Sequence, residues 1–192
     1  MAPVAEMLGA RVRRVVYLSS EGIEREADSL WGVVEDAVRE HVPEWTMLRP
    51  TGFARNAEQW AEQIHGGGAV RWPFGEMARP VIHEADMAAV AVEALLGDDL
   101  VGRSVVLTGP ELISQREQVD AIGAAVGRTV PWVEIGRDEA EQELDLPGFM
   151  LDAWAEMVTS PEPVTDGVAC VLGRPATPFA RWAQDNAALF RP

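Results

Sequence analysis

The run RRVVYLSS, residues 13–20, constrains the fold more than any other stretch. Val15, Val16, Tyr17 and Leu18 follow one another with no polar alternate, which indicates a strand covered on both faces, as in a parallel sheet. WTMLRP (45–50) is a second apolar run, ended by Pro50, and SVVLT (104–108) is a third. Helical patterns separate them. Ser29 caps LWGVVEDAVREH, whose Leu30, Val33, Val34, Ala37 and Val38 form one stripe. FARNAEQWAEQIH predicts a helix with Phe53, Ala57, Trp60, Ala61 and Ile64 on one face, stopped by GGG. Asp86 is the expected N-cap of MAAVAVEALL, and SQREQVDAIGAAVG opens with a Ser114/Glu117 capping box and closes at Gly127. PVAEMLGA reads as a short helix, EGIEREAD as a polar loop, and AVRWPFG and TVPWVEIG as strands. Beyond residue 136 the pattern is helical, with Thr165 and Thr177 as expected caps and Pro178 at a first helical position. Strands alternating with helices predict an α/β fold.

The charge balance narrows the partners. Against 31 Asp and Glu stand 16 basic residues, every one an Arg, for a net charge of −15. Such a surface repels phosphate backbones and anionic lipid, so neither nucleic acid nor a membrane is expected as a partner. Without Lys, no Schiff base forms. The single Cys170 excludes an internal disulfide and fits a reducing cytoplasm. The N-terminal stretch lacks a signal peptide's apolar core, and no apolar run approaches a membrane span. Three His and no ligand spacing such as C-x-x-C predict no metal site.

VVYLSS, WTMLRPTGFARN, VIHEADMAAVAVEALL, VVLTGPE and FARWAQDN occur in this order. Together they resemble the second half of an atypical short-chain dehydrogenase/reductase of the NmrA-like, NAD(P)-binding type, over nearly the whole chain. The resemblance implies a truncated Rossmann-like parallel sheet, second half only, with a mostly helical C-terminal cap. Residues 1–135 would be the partial Rossmann-like core, and 136–192 a helical substrate-cap region packed on it.

Two absences shape the functional expectation. No G-x-G-x-x-G occurs, and GGGAV at 66–70 follows a helix and precedes a strand, the reverse of the order a pyrophosphate cradle needs. The Tyr-x-x-x-Lys of the broader superfamily is missing from LWGVVEDAVREH. The expectation is therefore an enzyme without cofactor, working by acid–base chemistry (cyclase, isomerase, dehydratase or lyase) on an apolar, aromatic or polyketide-like metabolite of secondary metabolism. The alternatives are a non-catalytic ligand-binding or regulatory module, or one half of a split NAD(P)-dependent reductase. A sheet edge at 13–18 left in water would forgo about 1.5–3 kcal/mol for each large side chain. A homodimer, or a separate chain, is expected to cover it.

The expected catalytic set is His83 as base, Ser20 and Asn56 as donors, and Glu84 as orienter. Ser19, Glu21, Arg49, Thr51, Phe53, Trp60, Trp72 and Trp154 are the expected substrate contacts. Each has a structural alternative. A serine can order the loop after its strand, and Phe53 can belong to the core. Arg49 can pair with one of the many carboxylates, and His83 can make a structural hydrogen bond near a helix start. The seven tryptophans suit a flat aromatic ligand, and each also suits plain core packing.

Overall fold

A computed structural model describes residues 2–24 and 29–191. Residues 25–28, the end of the EGIEREAD loop, lie outside them. In chain order the elements are α1 (Ala2–Gly9), β1 (Arg14–Leu18), α2 (Leu30–His41), β2 (Glu44–Pro50), α3 (Ala61–His65), β3 (Val70–Trp72), β4 (Ala78–Arg79) and α4 (Glu84–Leu96). There follow β5 (Arg103–Leu107), β6 (Ile113–Ser114), α5 (Gln115–Val126), β7 (Trp132–Glu134), α6 (Arg137–Glu143), α7 (Gly148–Thr159), α8 (Gly167–Leu172) and α9 (Phe179–Asp185). The chain divides into two compact units and passes between them five times.

The first unit holds residues 1–51, 84–108 and 165–176. Its sheet is parallel, in the order β1-β2-β5, with Val15 opposite Trp45 and Leu48 opposite Val105. Alternation along β1 sends successive side chains to opposite faces. Val15 and Tyr17 meet Val34, Val38 and Val42 of the α2 region. Val16 and Leu18 line one small cavity with Met87, Ala88, Ala91 and Leu95 of α4. The unbroken apolar run thus serves two helices, one per face. On its outer side β1 has no strand partner among the described residues, and Leu18 remains 46% exposed. At the far edge α8 comes so close that a Cβ on Gly167 would lie 2.0 Å from the Val106 carbonyl oxygen, so only glycine fits there. Arg14 donates to the Ala94, Leu95 and Gly97 carbonyls, placing a cation at the C-terminal end of α4.

The second unit holds residues 52–83, 109–164 and 177–192. Two strand pairs, parallel β3-β7 and antiparallel β4-β6, sit among its helices. Its core is aromatic. Trp182 stacks on Phe179 and meets Phe190 edge-on, and Trp60 meets Trp72 and Trp132 edge-on at 6.3 and 6.1 Å between centroids. The capping box at Ser114 forms with both of its hydrogen bonds, and Gly127 closes α5 at φ 77°.

Several local expectations differ from what forms. ARNAEQW, residues 54–60, is a 3-10 helix, and only Ala61–His65 continues as α-helix. α4 begins at Glu84, which puts Asp86 inside the first turn, where it is buried and accepts from Arg174 Nη2 at 2.7 Å. Thr165 caps nothing: its hydroxyl donates to the Val106 carbonyl, and α8 starts two residues later. α9 starts at Phe179, with Pro178 one position before it. For Asp86 and Thr165 a tertiary partner outweighs the local cap, worth only about 1 kcal/mol.

Candidate functional site

The carboxyl ends of β1 and β2 carry the first unit's polar residues, and one residue orders them. Glu35, on α2, is 0% exposed. Its carboxylate accepts from Arg49 Nε and Nη2 at 3.0 and 2.8 Å and from Arg39 Nη2 at 2.5 Å. Burial pushes the Glu35 carboxyl up, but the hydrogen bonds and charge of Arg49, with the charge of Arg39, outweigh it and hold it below the usual carboxylate range. Arg49 and Arg39 therefore share one partner, while the buried Ser19 hydroxyl has no hydrogen-bond partner among the described residues. The Ser20 hydroxyl accepts from the Gly22 amide at 3.2 Å, so it orders the turn into the 3-10 helix Glu21–Glu24. Glu21 is buried beside them. Thr51 donates its amide to the Leu107 carbonyl at 3.1 Å. Glu84 lines a small cavity of about 340 Å³ with Val16, Leu18 and Met87.

The second unit contains a larger pocket of about 590 Å³. Phe53, Trp60, Met150 and Trp154 supply apolar wall; Asn56, Gln115, Gln118 and Arg79 supply polar groups. The 3-10 helix after Phe53 presents both Asn56 and Trp60 to it. Trp72 does not line the pocket but supports it, packing on Trp60 and lying 6.1 Å from Trp154. Gln115 spends its amide N–H groups on the Pro73 and Phe74 carbonyls, which holds that turn, with Phe74 at φ 57°, in place. Arg79 is clamped by Glu162 through two hydrogen bonds, 2.8 and 2.7 Å. His83 lies elsewhere in this unit, buried, with Nε2 3.9 Å from Asp185.

Of the expected residues, the structure brings Phe53, Asn56, Trp60 and Trp154 onto one pocket, with Trp72 behind it. It sets Arg49 on Glu35. Glu35, Arg79, Glu162, Gln115 and Gln118 escaped the sequence reading. Glu35 sits next to the α2 stripe and reads as a solvent carboxylate, and Arg79 lies in a two-residue strand too short to show periodicity. Among the described residues no cluster of three or more His, Cys, Asp or Glu has metal-binding geometry, and no helix is long and apolar enough to cross a membrane.

A dinucleotide's pyrophosphate needs glycines whose missing Cβ leaves room for phosphate. Gly9, Gly109, Gly123 and Gly167 do have crowded Cβ positions, but the protein's own carbonyls, of His41, Val81, Arg128 and Val106, fill them. None of these four leaves room for a phosphate.

No family profile matches the chain. It is 33% identical to a (4-alkanoyl-5-oxo-2,5-dihydrofuran-3-yl)methyl phosphate reductase of Streptomyces griseus, over 98% of this chain and 71% of that protein. It is 34% identical to an NAD(P)H azoreductase of Xenophilus azovorans, over 91% of this chain and 66% of that protein. An NADPH-dependent quinone oxidoreductase of Escherichia coli shares its fold, with a TM-score of 0.77 at 17% identity, over 96% of this chain and 71% of that one. The chain belongs to the NmrA-like, atypical short-chain dehydrogenase/reductase type of NAD(P)-binding reductases. It spans about two thirds of the curated relatives' length.

These relatives overturn the expectation of a cofactor-independent cyclase, isomerase, dehydratase or lyase, since both are reductases and one is named for NAD(P)H. The same finding removes support for a lost cofactor site and for a place in secondary metabolism. The missing Tyr-x-x-x-Lys was weighed against redox chemistry, and the similarity to reductases outweighs it.

Proposed function

We propose that this chain forms the acceptor side of an NAD(P)H-dependent reductase of small organic molecules, with the pocket around Phe53, Asn56, Trp60 and Trp154 as the acceptor site. The observation that carries the reading is the 33% identity to a reductase across 98% of the chain. The pocket supports it: its volume of about 590 Å³ and mixed aromatic and amide lining suit a small conjugated molecule. Arg49, held by Glu35 at the carboxyl end of β2, stands where ligands approach sheets of this kind. The test is oxidation of NADPH and NADH by the purified chain with a panel of quinone, azo and enone acceptors. Acceptor-dependent oxidation above background is the expected result, and its absence across the panel overturns the reading.

We also propose that a second copy of the chain covers β1. The stretch from Val15 to Leu18 carries no charge, so antiparallel pairing about a two-fold axis near Val16 sets apolar against apolar residues and keeps the arginines at 11, 13 and 14 of the two copies apart. A dimer by light scattering at micromolar concentration is expected; a monodisperse monomer overturns it.

A further inference from the structure

We infer that the pocket of the second unit takes a flat aromatic molecule bearing an acidic group, with its rings among Phe53, Trp60 and Trp154 and its anionic oxygen on the outer edge of Arg79. The inference rests on the acceptor-site reading above and carries it to the class of molecule bound.

Three observations bear on it. First, in a chain with 31 acidic and 16 basic residues, the pocket lining includes Arg55 and Arg79 and no Asp or Glu. A wall free of carboxylates in so acidic a protein spares an incoming anion the repulsion it meets elsewhere.

Second, Arg79 is preorganised. Its Nε and Nη2 donate to the two oxygens of Glu162, which is only 5% exposed, and this fork fixes the plane of the guanidinium. Nη1 makes no hydrogen bond among the described residues, leaving two N–H donors on a fixed cation that lines the pocket. The head lies directly over Gly52, where a Cβ would approach Cζ to 2.9 Å and Nη1 to 3.0 Å. Glycine at 52 thus gives the guanidinium its place.

Third, Trp60, only 1% exposed, lines the same pocket with Phe53 and Trp154, and Trp72 packs edge-on against it at 6.3 Å between centroids, so the aromatic wall is held in place. Arginine and aromatic wall together favour an arene carboxylate, sulfonate or phosphate over a neutral arene.

Calorimetric titration with 1-naphthalenesulfonate and its uncharged isostere 1-naphthalenesulfonamide tests this without any turnover. The sulfonate is expected to bind about tenfold more tightly at low salt, the factor carried by one additional charge-assisted contact, with the preference shrinking as salt rises. The double variant Arg79→Gln/Glu162→Gln removes the pair without stranding a buried charge and is expected to abolish the preference. Gly52→Ala, which displaces the guanidinium while keeping its charge, is expected to reduce it. Equal binding of the two probes, or a preference that survives in the double variant, overturns the inference. Sulfonate binding that depends on Arg79, without acceptor-dependent NADPH oxidation, upholds it and sinks the reductase reading. Oxidation with neutral quinones and no sulfonate preference does the reverse.

Discussion

The two units of this protein keep their interiors in order by different means. In the first, β2 and α2 bring Arg49 and Arg39 to one buried carboxylate, Glu35, and that charge cluster ties α2 to the end of β2. In the second, short strand pairs and short helices gather around Trp60, Trp72, Trp132, Phe179 and Trp182. A charge cluster demands particular partners and responds to pH. An aromatic cluster tolerates shape changes less and hardly responds to pH.

The largest effect is expected in the aromatic unit. Trp60→Ala removes a fully buried side chain and should cost about 3–5 kcal/mol, read from urea unfolding by circular dichroism. It should leave the pH dependence of unfolding unchanged; a small loss would mean that the indole cluster packs loosely. Next comes Glu35→Ala, which takes a buried carboxylate from Arg49 and Arg39 and should cost about 3 kcal/mol, measured the same way. A cost near zero would erase the contrast between the units.

The pH dependence sharpens the same contrast. The Glu35 carboxyl is held below its unfolded value, so its stabilisation is fully present above the unfolded value and is lost as pH falls through the lowered folded value. Thermal unfolding from neutral to strongly acidic pH should show this loss in the wild type and less of it in Glu35→Gln. Identical slopes would mean that the cluster does not govern acid stability. The smallest effect is Ser114→Ala, which removes one side of the α5 capping box and should cost about 1 kcal/mol at any pH at which Glu117 is ionised.

Legibility followed the range of the interactions. The α5 capping box and its Gly127 stop form as read, because every group involved lies within one helix. β1, β2 and β5 were legible because an apolar run without alternation has few other solutions in a soluble α/β protein. Asp86 and Thr165 looked like caps and are not, because Arg174 and Val106, distant in sequence, offered them stronger partners. Chemistry was the least legible. The absence of a motif was weighed as evidence against redox function, and similarity to NAD(P)H reductases shows that it was not.

By itself, then, the sequence determined the α/β class, the family and the aromatic wealth of the chain, since composition and local periodicity encode each of these. Only the tertiary structure decided that Glu35 and not solvent holds Arg49, and that Phe53, Asn56, Trp60 and Trp154 line one pocket beside Arg79. Those pairings join residues dozens of positions apart. Their energies exist only once the backbone has closed the distance, so no local pattern records them.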